Sequence, residues 1–201
     1  LQMIMPFILM QADALTKAMS TFRESQPIGD SIGPMIVGKL MLEKEKHEIA
    51  RDTIYAESNI ENRKVYLITA KGPGGTVGQP GNALKNIIEK GTKPSILIMI
   101  DAALRLEGEK TGEIAEGIGA AIGGIGVDRF KIEEIATENN IPIYAIVIKQ
   151  TLVEAISIMR KEIAETTEPV HDILNRLIME RTKEGDSVII IGVGNTAGVG
   201  Q

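Results

Sequence analysis

Three short runs of this chain are apolar at nearly every position: Ser95–Ile100, Ile143–Ile148 and Val188–Ile191. A strand with one wet face alternates polar and apolar residues. A continuously apolar strand has no wet face and belongs inside a parallel sheet covered on both sides. Between these runs lie segments with helical spacing, at Ala83–Lys90, at Lys131–Glu138, through Leu152, Ile156, Met159 and Ile163, and through Val170, Ile173, Leu174 and Leu177. Buried strands alternating with helices predict an α/β fold with three layers, a mostly parallel sheet flanked by helices. Thr53–Ser58 and Lys64–Thr69 read as two further strands joined by the polar turn Asn59–Arg63.

The organisation is expected to be an amphipathic N-terminal helix over residues 1–26 and one α/β domain over residues 27–201. The helix is marked by Ile4, Phe7, Ile8, Leu15, Ala18, Met19 and Phe22. Pro34 opens a second helix, running to about Leu42, directly after the turn Pro27-Ile-Gly-Asp-Ser-Ile-Gly. Asn82 is placed to cap the helix that follows the glycine-rich stretch Gly72–Gly81.

Composition excludes several chemistries. There is no Cys, so no disulfide, thiolate nucleophile or cysteine metal site, and only 2 His, too few for a histidine-rich metal centre. Twenty-two basic against 27 acidic side chains give a net charge of −5, aromatics are 3 %, and there is no Trp. No basic patch or stacking platform for nucleic acid follows from that balance. No apolar run approaches the roughly 20 residues of a membrane span. Many Ile, Glu and Lys lean towards a thermophile source. A cytoplasmic location is expected. The sequence begins at Leu1 and stops just after a glycine-rich loop, so it reads as a fragment, with room for a membrane tether upstream. His47, in the Glu43–Glu48 stretch, and His171, after Pro169, are both expected at the surface.

Two carboxylates stand out. Asp101 ends the apolar run 95–100, at the carboxyl end of a buried strand, where open α/β sheets place their ligands. Asp30 sits just before the Pro34 helix, whose N-terminal dipole favours an anion. A close pair of this kind shares a proton or holds a cation. Two glycine loops supply candidate backbone donors for a ligand: Gly74, Gly75, Thr76 and Gly78 in one, Gly194 and Asn195 in the other. The first lacks the Lys-Ser/Thr of a P-loop, and the second is not followed by the helix that a dinucleotide fingerprint needs.

Short motifs here resemble known families. Gly29-Asp30-Ser31-Ile32-Gly33-Pro34 is similar to the Asp-x-ϕ-Gly-Pro segment of the spore germination protease and its relatives. Ile98-Met-Ile-Asp101-Ala102-Ala103 is similar to the strand-Asp-Ala segment of the same proteins. Gly192-Val193-Gly194-Asn195 resembles the Gly-x-Gly-Asn strand end of the hydrogenase maturation endopeptidases. In those families that strand precedes the acidic turn, whereas here it comes last, which implies a circularly permuted, phosphorylase/hydrolase-like sheet. Strand 188–191 would then lie beside 95–100 and bring Asn195 near Asp30. Whole-chain character also resembles an archaeal family without an assigned activity.

The resemblance implies a peptidase-like hydrolase in which Asp30 and Asp101 are the functional carboxylates and hold any divalent metal. Val127 stands where the maturation endopeptidases carry a metal-binding His. The alternative is a domain without chemistry, a homo-oligomeric assembly module whose glycine loops hold a peptide or small anionic ligand.

Overall fold

The computed structural model describes residues 25–120 and 127–201, with residues 4–6, 8, 9, 11–13 and 16. Of the N-terminal stripe, Ile4 and Ile8 are exposed, and the Ile8 N–H donates to the Ile4 carbonyl at 3.0 Å. Phe7, Leu15, Ala18, Met19 and Phe22 lie outside the described residues.

From β1 (Lys46–Ala50) the chain turns into β2 (Thr53–Ile60) and β3 (Arg63–Ala70). Glu61 and Asn62 make the second turn with φ of 47° and 60°, the two-residue hairpin geometry that matches strand twist. After β3 come helix α2 (Pro80–Glu89), β4 (Pro94–Leu104), β5 (Ile114–Ile118), helix α3 (Val127–Glu138) and β6 (Ile143–Gln150). Helix α1 (Ile32–Leu40), entered through the 3-10 turn Gly29–Ser31, precedes them all. Three helices, α4 (Leu152–Ile156), α5 (Lys161–Ala164) and α6 (Thr167–Arg181), lead to β7 (Ser187–Gly192).

The strands form one sheet in the order β1-β2-β3-β7-β4-β6-β5. Strand β7, the last in sequence, is therefore the middle of the sheet, hydrogen-bonded in parallel to β3 and to β4. The expected pairing of 188–191 with 95–100 is thus observed, with Leu97 opposite Ile189 and Met99 opposite Ile191.

Side-chain alternation divides the core between the two faces. Ile98, Ile100, Ile146 and Ile190 pack with Ile36 of α1 and Leu174 of α6. Leu97, Met99, Ile189 and Ile191 point the other way and pack with Leu84 of α2 and Ile132 of α3. The link from β3 to β4 crosses β7 on the α2 face. The link from β6 to β7 returns over β4 on the α6 face. Direction and face reverse together, so both crossovers have one hand.

Four expectations need correction. The sheet is mixed rather than mostly parallel: the three pairings among β3, β7, β4 and β6 are parallel, and the other three are antiparallel. Only nine residues separate β4 from β5, too few for the dozen or more of a parallel crossover, so β5 runs antiparallel to β6. Strand β1, read as a solvated charged stretch, is an edge strand whose Lys46, His47 and Glu48 face water or lie half-exposed, as edges commonly do. The single helix expected over Leu152–Ile163 is broken, because Ile158 pairs with Ile28 and the Met159 N–H donates to the Pro27 carbonyl at 2.8 Å. Asn82 lies inside the first turn of α2, which opens at Pro80.

One buried cation ties the base of the sheet to α6. Arg63 is only 6 % exposed; its Nε donates to Thr182 Oγ1 and its Nη2 to the Thr182 carbonyl, both at 3.3 Å, and Nη1 donates to the Glu61 carbonyl. Thr182 is the C-cap of α6, where a cation also opposes the helix dipole. Arg63→Met leaves those carbonyls without their donor. It should cost about 1.5–3 kcal/mol, the range for hydrogen bonds to charged groups, read as a lower urea midpoint with the far-UV spectrum unchanged.

Candidate functional site

The parallel strands β3, β7, β4 and β6 all end at one edge of the sheet, and the singled-out motifs collect there. The loop 71–79 leaves β3, the tail 193–201 leaves β7, Asp101 lies near the end of β4, and the Gly29–Ser31 turn approaches from α1. In parallel sheets this carboxyl edge is where ligands bind.

The two glycine loops are bonded to each other. Thr196, fully buried, accepts the Thr76 N–H on Oγ1 at 3.0 Å, and its own N–H donates to the Thr76 carbonyl at 2.9 Å. Asn195 Nδ2 donates to the Gly75 carbonyl at 3.1 Å, while its Oδ1 accepts the Ala197 N–H at 2.8 Å. Gln201 closes the far side: Oε1 accepts the Gly72 N–H at 2.7 Å and Nε2 donates to the Ala70 carbonyl at 3.1 Å. Both side-chain ends of Asn195 are therefore occupied by main chain.

On its other flank the tail holds α1. The Asn195 N–H donates to Asp30 Oδ2 at 2.8 Å, and Ser31 Oγ to the Ala197 carbonyl at 3.1 Å. Glycines make this contact possible. A side chain at Gly33 would collide with the Val193 and Ile100 carbonyls, and one at Gly194 with the Asp30 carbonyl. The Gly-x-Gly and Gly-Pro spacings thus let a helix start lie directly on the ends of β7 and β4. Burial pushes the Asp30 carboxyl above its usual range, partly offset by the Asn195 amide.

Asp101 is 3 % exposed and accepts its neighbour's N–H, that of Ala102, on Oδ1 at 2.7 Å. It has the parity of Leu97 and Met99, whose side chains pack with α2 and α3, whereas Asp30 belongs to α1 on the opposite face. The two aspartates come to the same edge from opposite faces. The structure joins Asp30, Gly75, Thr76, Gly194 and Asn195 into one bonded cluster. Gly78 is set apart: with φ of 61° it packs against Asp52 and Thr53 at the end of the β1–β2 hairpin. Around Gly74 the space is open. Among the described residues there is no group of three or more His, Cys, Asp or Glu able to hold a metal.

Two members of this edge escaped the motif reading. Thr196 hides inside the glycine tail. Gln150 ends β6, two residues after the apolar run 143–148, and it is 1 % exposed. The rule that singles out Asp101 points here to Lys149, the first polar residue after the run, and so passes over Gln150. His47 is half-exposed as expected; His171 is partly buried, and that burial lowers its pKa.

The fold and this edge define an α/β domain with a mixed seven-stranded sheet and a glycine-bonded carboxyl edge. The chain belongs to the family described as "Domain of unknown function (DUF1512) C-terminal", which matches residues 28–200. No curated protein matches the chain. Among the described residues no helix is long and apolar enough to cross a membrane.

A carboxyl whose pKa is raised by folding keeps protons in the folded state that the unfolded chain has released. Asp30 therefore takes stability away as pH rises through its folded pKa, and the loss is complete above it. Asn at this position can still accept the Asn195 amide and has no charge to bury. Asp30→Asn should have the higher urea midpoint at pH 7, with the difference closing below pH about 3.8. A variant less stable than wild type at pH 7 would contradict this account.

Proposed function

We propose that this domain is a peptidase-like hydrolase with a circularly permuted, three-layer, phosphorylase/hydrolase-like sheet, working through Asp30 and Asp101. The observation that carries the reading is the 2.8 Å bond from the Asn195 N–H to the Asp30 carboxylate, between residues 165 positions apart. It joins the Gly-x-Gly-Asn strand end to the Asp-x-ϕ-Gly-Pro turn. Those two motifs lie at opposite ends of the chain and have no local reason to meet.

The chemistry follows from the two environments. Burial favours the protonated form of Asp30, which suits a group that delivers a proton to the leaving nitrogen of an amide. Asp101 takes the matching proton from a water as that water attacks the carbonyl carbon. The C–N bond breaks, and Asp30 ends ionised and Asp101 protonated until the proton is returned. Backbone N–H groups of the Gly74–Gly78 loop or the tail would receive the developing oxyanion. A divalent cation, if used, would sit on the same two carboxylates.

The reading is tested on the purified chain with pooled fluorogenic peptides. Asp30→Asn and Asp101→Asn should each lower kcat/KM by about 100-fold or more, the usual loss when a positioned acid or base is removed. The exposed Glu89→Gln should leave it unchanged. Cleavage that survives both aspartate substitutions would refute the assignment. A wild-type chain that binds peptide without cleaving any pool would favour the binding module.

A further inference from the structure

The most unusual group at this edge is Gln150. Its residue is 1 % exposed, and neither Nε2 nor Oε1 has a hydrogen-bond partner. Leaving a buried amide donor and acceptor both unmet costs stability, and native structures keep few such groups. Its parity is that of Ile146 and Ile148, so the amide lies on the α1 face of the sheet. There it abuts the turn that starts α1: a side chain at Gly29 would collide with Gln150 Oε1 and with the Glu154 carbonyl.

Two features make this a ligand position rather than an isolated defect. Gln150 lies at the carboxyl end of β6, one of the parallel strands whose ends form the edge where α/β sheets bind ligands. The amide also lies against the 3-10 turn Gly29–Ser31, which carries Asp30 and leads into the nine-residue helix α1. Orphan donor and orphan acceptor on one planar group restrict what the ligand is. An anion would leave Oε1 unmet and a metal cation would leave Nε2 unmet. A peptide residue in extended conformation presents its N–H and C=O side by side and meets both.

We infer that Gln150 is the peptide-recognition residue of this site, pairing with the N–H and C=O of one extended residue of the substrate next to the Asp30 turn. The inference rests on the hydrolase reading for what happens after binding, but its test does not require cleavage. The amide is buried against the Gly29–Ser31 turn, and binding displaces that turn. The turn is held by the Gly29 N–H to Ser157 carbonyl bond, 3.2 Å long, and by the Ile28–Ile158 bridge. Gln150 then acts as a positioning residue, placing the scissile amide relative to Asp30.

The probe is a pool of N-acetyl, C-methylamide tripeptides titrated into 15N-labelled chain. It is followed at the Gln150 side-chain NH2 resonances, which are identified by their loss in Gln150→Met. The titration is run on wild type and on Asp30→Asn, so that cleavage does not consume the probe. The NH2 pair should shift on binding, and Gln150→Met should weaken binding at least tenfold. The same variant should melt at or above the wild-type Tm, because an apolar chain of similar length replaces an unmet amide. Unshifted resonances would overturn the inference, as would a Gln150→Met that binds like wild type or that loses several degrees of Tm with binding intact. Gln150-dependent binding without cleavage would sustain the inference while removing the hydrolase reading.

Discussion

The carboxyl edge depends on one hydrogen-bonded seam, in which the tail after β7 is stitched to the loop after β3 on one flank and to the start of α1 on the other. Neither segment has regular structure of its own. Their backbone groups would be costly to bury unpaired, and Thr196, Asn195 and Gln201 supply the pairing. Glycine is needed on both sides of the seam because two main chains meet there with no room for a Cβ. The seam also helps to hold Asp30: the tail bonds its carboxylate and the hydroxyl of the neighbouring Ser31.

That arrangement changes the meaning of the glycine-rich stretches. Such loops invite a phosphate or anion reading, because their N–H groups are free to point at a ligand. Here much of their hydrogen-bonding capacity is turned inward, and Gly78 faces the hairpin rather than the edge. The groups with unusual energetics are side chains instead: a carboxyl made harder to ionise by burial and an amide with no partner. Both reduce stability. Proteins keep such features where function needs them.

The parts of the fold legible in the sequence were those written in periodicity or in motif. Ser95–Ile100, Ile143–Ile148 and Val188–Ile191 are strands because nothing else buries so many Ile side chains in so few residues. The Asp30–Asn195 contact and the pairing of β7 with β4 followed from two motifs whose order along the chain was reversed. Edge strands were not legible, since β1 is charged and β5 holds Glu116 and Gly117, and neither needs a buried face. The break between α4 and α5 was hidden because Ile158 fits a helical stripe as well as it fits its pairing with Ile28. The two carboxylates were legible as strand and helix ends. Their approach from opposite faces was not, because it depends on the register of β4 against β7.

The central place of β7 has a consequence for how the protein comes into being. A chain leaving the ribosome completes the β1–β2–β3 meander and the β4–β6–β5 unit before residues 187–192 are made. During that interval β3 and β4 each show a bare apolar edge to solvent, the exposure that recruits chaperones and seeds strand-to-strand aggregation. One six-residue insertion closes both edges at once and completes the site in the same step. A nascent chain halted before it would carry nearly all of the core residues and still be a liability to the cell rather than a partly working protein.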